Sequence, residues 1–229
     1  MSYEVRLLLE RVGELEPGES PSARANAAES FGEVVPAPSK KELADAVGHT
    51  RDWPGAGAAA ARARAAVRLV DELPSEERLG EFVARVAAAA AKLPCVAIWW
   101  VPAERLVEPR ALAAAAGDDD PLRIALNVRL FHVEEGRSDE RVMDTVGLAA
   151  LELPDVQCHF FALDVAAVAA LLEETARYVF AEGDVIGEGD TVAGTDGQPW
   201  SCHREVALVN PARDVIDVTP PAPHAARRS

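Results

Sequence analysis

The segments QCHFF and SCHRE place Cys158 beside His159 and Cys202 beside His203, so two of the three cysteines and two of the five histidines occur as adjacent pairs. Thiolate and imidazole are the ligands of zinc, and they are also the nucleophile and base of thiol hydrolases. Either chemistry needs the side chains to converge. Both pairs sit in strand-like stretches, where successive side chains point to opposite faces of the sheet. A common point can then receive one ligand per pair, which makes two, short of the three of a catalytic zinc site. Cys95 opens a different apolar strand, and no C-x-x-C or H-x-x-x-H spacing adds to the set. Nothing beside either cysteine marks it as an activated nucleophile. Buried cysteines are expected, with no catalytic residue, no metal and no cofactor. The competing reading is a metal-dependent, hydrolase-like enzyme whose site gathers His132, His159, His203, Cys158 and Cys202 from scattered positions.

Other motifs fail on context. GAGAAA, with Gly55, Gly57 and Ala60, fits a loose G-x-G-x-x-A dinucleotide pattern, and Asp71 lies downstream. That mechanism needs a strand just before the first glycine, and the segment there is the turn-like HTRDWP. His132 with Glu134, and His203 with Glu205, each make H-x-E, but the P-C-x-x-C of zinc deaminases does not follow. Asp184, Glu188, Asp190 and Asp196 lie among glycines as calcium ligands would, without EF-hand spacing, and read as a solvated acidic loop. There is no P-loop, nucleophile elbow or H-E-x-x-H.

Charge narrows the partners. The chain carries 38 acidic and 23 basic residues, a formal net charge of −15, which repels phosphate backbones and anionic lipid. Neither nucleic acid nor a membrane is expected as partner, and no apolar run approaches the roughly 20 residues of a membrane span. The opening MSYEVRLLLERVGEL lacks the apolar core of a secretion signal, and three cysteines are too few for a disulfide framework, so a reduced cytoplasmic protein is expected. A basic protein partner suits the charge, with self-association left open. Tryptophan anchors many interfaces, and two of the four tryptophans lie in loop-like contexts beside proline. The expected contact residues are Trp53, Trp200, Asp184, Glu188 and Asp190.

The elements that must position these residues alternate. SYEVRLLLE reads as a strand of period two with one slip. Ser20 and Pro21 open a helix that Gly32 closes, and GEVVPAP is a short strand. Ser39 and Glu42 form a capping box for KKELADAVG. AAVRLVDEL is a strand. A helix follows over 75–93, with Leu79, Phe82, Val83, Val86, Ala90 and Leu93 in one stripe. CVAIWWV is a central strand that points Trp99 and Trp100 to opposite faces, and EPRALAAAAG is a helix. LRIALNVRLFHVEE, RVMDTVGLAALEL and VQCHFFAL read as strands. Asp164 caps a helix that buries Val165, Val168, Leu172, Ala176 and Val179. GDVIGEGDTVAGTDGQP is irregular, and two strands close the chain. The fold class is α+β, with mainly antiparallel sheet packed by helices; strand–helix–strand order early and late allows two βαβ-like halves. The expected organisation is an N-terminal half over 1–138, a C-terminal half over 139–219 and a loose tail over 220–229.

The order of PAPSKKEL, RDWPGA, the alanine-rich run into AAVRLV, DTVGLAALELPDVQ and GDTVAG resembles the domain of unknown function 4261 family. The likeness runs from about Val34 to the strand near Val218. It implies a bacterial, cytoplasmic α+β protein. None of these motifs is a catalytic signature, and the resemblance carries no site residue over.

Overall fold

A computed structural model describes residues 3–11, 31–72, 76–117, 120–134 and 136–226. The helix expected from Ser20 falls largely outside them. The chain divides into two compact units, Met1–Asn127 and Val128–Ser229.

The first unit is built on a five-stranded sheet of order β2-β3-β1-β4-β5. Its strands are β1 (Tyr3–Leu9), β2 (Glu33–Pro36), β3 (Ala65–Asp71), β4 (Cys95–Trp100) and β5 (Arg105–Val107). Each pairing is antiparallel. The helices are α1 (Ala44–His49), α2 (Ala56–Ala61), α3 (Glu76–Lys92), α4 (Pro109–Ala115) and α5 (Leu122–Ala125). The slip in β1 has a physical reason. Tyr3 meets Phe82 of α3 edge to face at 5.8 Å, whereas Leu8, on the opposite face, joins Leu43, Ala46, Ala56 and Ala59 of the α1–α2 layer. A central strand covered on both faces can bury apolar side chains on each, and Leu8 shares its face with Arg6.

Trp100 is buried, and its indole N–H donates to Tyr3 Oη at 2.7 Å. Trp99, on the other face, is partly buried with the Arg6 guanidinium 5.0 Å from its ring. The stripe from Leu79 to Leu93 is buried as expected. The Ser39–Glu42 bonds form in both directions, but across the turn before α1, whose N-cap is Leu43 without a side-chain cap bond. Ser39 N–H donates to Glu42 Oε2 at 2.8 Å, and Glu42 N–H to Ser39 Oγ at 3.3 Å. One expectation is corrected here. LRIA is not strand but the single turn α5, because Pro121 supplies a helical φ at its N-cap and one turn buries Leu122, Ile124 and Ala125 together.

The second unit is a six-stranded sheet of order β6-β7-β8-β11-β10-β9, covered by α6 (Val165–Glu182). Its strands are β6 (Asn127–His132), β7 (Glu140–Val146), β8 (Asp155–Phe161), β9 (Thr191–Ala193), β10 (Pro199–Val206) and β11 (Asp214–Thr219). β8 and β11 run parallel; the β7–β8, β10–β11 and β9–β10 pairs are antiparallel. The architecture is therefore α+β with two mostly antiparallel sheets. A parallel pair of the βαβ kind is found in the second unit, between β8 and β11, whereas the pairings among the described strands of the first are antiparallel. Asp164 caps α6 by accepting from Ala166 and Ala167 N–H at 2.7 and 3.1 Å. Val168, Leu172, Ala176 and Val179 are buried beneath it, whereas Val165 is exposed at its first position.

Three further segments differ from expectation. Leu148–Leu151 forms a 3-10 turn rather than strand. Thr191–Ala193 is a short strand within the glycine-rich stretch, because Val192 pairs opposite Trp200. Residues 224–226, within the stretch expected as a loose tail, run back along β8, where Phe161 N–H donates to His224 O and Ala226 N–H to His159 O.

Candidate functional site

β8 and β10 carry the two Cys-His pairs, and pleating separates them. Cys158 lies opposite Met143, and Cys202 opposite Val218, both thiols fully buried on the α6 face. His159 and His203 lie on the other face, opposite Val142 and Asp217. Each imidazole has its own carboxylate. His159 Nε2 is 2.8 Å from Glu140 Oε1, and His203 Nδ1 is 2.8 Å from Glu188 Oε1. Burial pushes the Cys202 thiol up to about 11, assisted by the charges of Asp190 and Asp217. It pushes Cys95 up to about 12 and Cys158 well above the ordinary thiol range. A thiol held protonated by burial is a poor nucleophile. Among the described residues no group of three or more His, Cys, Asp or Glu is placed to hold a metal ion.

The face that carries the imidazoles holds a buried ionic network. Arg129 forks onto Asp144, with Nε to Oδ1 at 2.9 Å and Nη2 to Oδ2 at 2.5 Å. Arg213 reaches two carboxylates, with Nη2 2.6 Å from Asp144 Oδ2 and Nε 2.8 Å from Asp155 Oδ2. Asp155 Oδ1 also accepts from Thr145 Oγ1 at 3.1 Å and Leu148 N–H at 3.2 Å. Burial raises the Asp155 carboxyl above its ordinary value, against the opposing pull of Arg213 and of these donors. Beside the network, Gln157 Nε2 donates to Asp217 Oδ1 at 3.0 Å, and Gln157 Oε1 accepts from Leu208 N–H at 2.7 Å. Arg129 Nη1 donates to Asn210 O at 2.9 Å. The guanidiniums and carboxylates thus satisfy one another and pin the loop between β10 and β11. The geometry fits a structural role. Arg129, Asp144, Asp155, Gln157 and Arg213 belong to no recognisable motif. Asp144 is signalled in the sequence by a charge inside an otherwise apolar strand, VMDTV, whereas Arg213 lies just before β11 and has no such signal.

The expected contact residues separate. Trp200 is corrected: it is 2% exposed and packs on Gly194, where an added Cβ would lie 2.0 Å from its Nε1. An indole so enclosed holds the hairpin together and offers nothing to a partner. Trp53 is half-buried against the α1–α2 cluster and anchors its loop. The acidic loop is folded onto β10. Arg204 ion-pairs with Asp184, and its Nε donates to Ile186 O at 2.9 Å. Glu188 Oε2 accepts from Arg204 N–H at 2.7 Å, and the His203 ring and this N–H hold the Glu188 carboxyl below its ordinary value. Asp190 Oδ2 accepts from Gly187 N–H at 2.7 Å.

What this loop shapes is a groove. Between α6, the 185–186 segment and β9 lies a depression of about 520 Å³, lined by Leu171, Glu174, Tyr178, Val185, Ile186 and the strand itself. Tyr178 is 51% and Val185 54% exposed, which sets two large apolar side chains on one open surface. The exposed carboxylates of Glu174 and Asp190 lie in the same lining. Among the described residues Glu174 makes no ion pair. Of the residues expected from sequence, Asp190 lines this groove, whereas Asp184 and Glu188 bond to Arg204 outside its lining.

Residues 144–219 match a family model described as Domain of unknown function (DUF4261). The family resemblance is shown for this segment, which holds Asp144, Asp155, Arg213, α6 and the groove. No curated protein and no solved structure matches the chain.

Proposed function

We propose that this chain is a non-enzymatic protein-interaction module that receives a basic, apolar segment of a partner protein in the groove between α6 and β9. The observation that carries the reading is the pairing of exposed Tyr178 and Val185 with the carboxylates of Glu174 and Asp190 in one depression. Aromatic and aliphatic side chains supply the desolvation energy of an interface core, and charges at its rim steer an oppositely charged partner. The net charge of −15 extends that steering beyond the groove. A reducing cytoplasm suits three unpaired thiols, and the family resemblance favours a bacterial one.

A random octapeptide library displayed on phage and selected on the full chain tests this. Enrichment of sequences that combine Lys or Arg with aliphatic residues is expected. The selected peptides should lose at least tenfold in affinity on Tyr178→Ala and on Glu174→Lys, and should weaken with added salt. Selected peptides indifferent to both substitutions, or no enrichment over unfolded chain, would sink the proposal.

A further inference from the structure

We infer that the partner segment enters as an added strand, pairing its backbone with β9; the inference rests on the groove reading above. β9 ends the sheet order of the second unit. Its outward bonding groups follow from the ladder. Cys202 N–H donates to Asp190 O, and Gly194 N–H to Gln198 O, each at 2.7 Å. Val192 lies opposite Trp200 between those two bonded pairs. Antiparallel ladders alternate, so Val192 and Gly194 turn their bonding groups toward β10, as Asp190 turns its C=O. Thr191 and Ala193 turn theirs the other way. Both residues are exposed, and among the described residues neither makes a hydrogen bond on that side.

Open edges are usually blunted by Lys, Pro or a bulge. Thr-Val-Ala carries none of these three, and its one protection is its length of three residues. A strand laid along it gains backbone bonds at Thr191 and Ala193 and comes to lie beside the groove. Every second side chain then faces the same way as Val192, toward Tyr178, Val185 and Leu171 of the lining. The alternate residues face away from α6. Side chains two residues apart in a strand stand about 6.8 Å apart. The ligand is therefore an extended peptide with apolar residues at every second position and Lys or Arg where they meet Asp190 and Glu174. Backbone bonds would supply affinity, and the alternate pockets specificity.

An N-methyl scan of a library-selected octapeptide, run on the full chain, tests the mode. Methylating a peptide N–H that bonds to Thr191 or Ala193 should cost at least tenfold in affinity, and methylating its neighbours little, giving a period of two. Amide exchange at Thr191 and Ala193 should slow on binding, whereas Val192 stays as protected as before. Ala193→Pro removes an outward donor and no ladder bond, so it should weaken binding with an unchanged thermal midpoint. If it unfolds the chain, the peptide scan alone decides. Anchors spaced three and four apart with no period of two would overturn strand addition. In that case continued loss of binding on Tyr178→Ala would leave the groove reading standing. Binding untouched by Tyr178→Ala and Glu174→Lys would overturn both.

Discussion

Replacing Arg213 by Met removes a guanidinium and keeps most of the aliphatic stem. Asp144 retains the Arg129 fork, but Asp155 loses the cation that, among the described residues, is paired with it. Asp155 keeps the Thr145 hydroxyl and the Leu148 amide, which solvate a carboxylate without cancelling its charge. Breaking a buried pair while leaving the other ion in place costs about 3–5 kcal/mol, or roughly two to three and a half powers of ten in the folding equilibrium. The sign with pH follows from the direction of the shift. The Asp155 carboxyl is already raised by burial, and Arg213 works against that rise. Without Arg213 it rises further. A carboxyl raised in the fold contributes stability that is fully present below its unfolded value and lost as pH climbs through its folded value. The deficit of Arg213→Met is therefore largest near neutral pH and narrows as Asp155 takes up a proton on acidification. Urea unfolding, followed at the Trp200 indole resonance near pH 7.5 and near pH 5, measures it. Arg213→Met with Asp155→Asn should be less destabilised than Arg213→Met alone near neutrality. A deficit below about 1 kcal/mol, or one of equal size at both pH values, would refute the role assigned to the network.

Further outcomes follow from packing and burial. Gly194→Ala drives a methyl to 2.0 Å from Nε1 of a tryptophan that is itself enclosed, so it should cost at least about 1–3 kcal/mol in urea unfolding; a neutral result would show that the hairpin yields. Leu172→Ala, beneath α6, should cost about 2–5 kcal/mol, the size of a buried leucine deletion. With Cys95 held up to about 12 and Cys202 up to about 11, native thiols should react with an aromatic disulfide at pH 8 orders of magnitude more slowly than thiols in urea. Equal rates would contradict the burial described for them.

Local signals were the legible ones. The stripe from Leu79 to Leu93 and the Asp164 cap depend on residues a few positions apart and form as read, and the Ser39–Glu42 bonds form too, across the turn before α1 rather than at its cap. The separation of thiols from imidazoles was legible for the same reason, since pleating is a nearest-neighbour rule. Trp200 was misjudged because a glycine-rich neighbourhood looks like loop until Val192 is found opposite it. LRIA was misjudged because one helical turn and a short strand can bury the same apolar residues.

The amino-acid sequence alone determined the fold class, the main helices and the divergence of the two Cys-His pairs, because periodicity and capping are written in adjacent residues. Only the tertiary structure decided that Asp144, Asp155 and Arg213 meet in a buried network, and that Tyr178, Val185 and Asp190 share a groove beside an open strand. Strand order and register bring residues that are far apart in the chain into contact, and the free energy that selects them is a sum over the whole sheet rather than a property of any one segment.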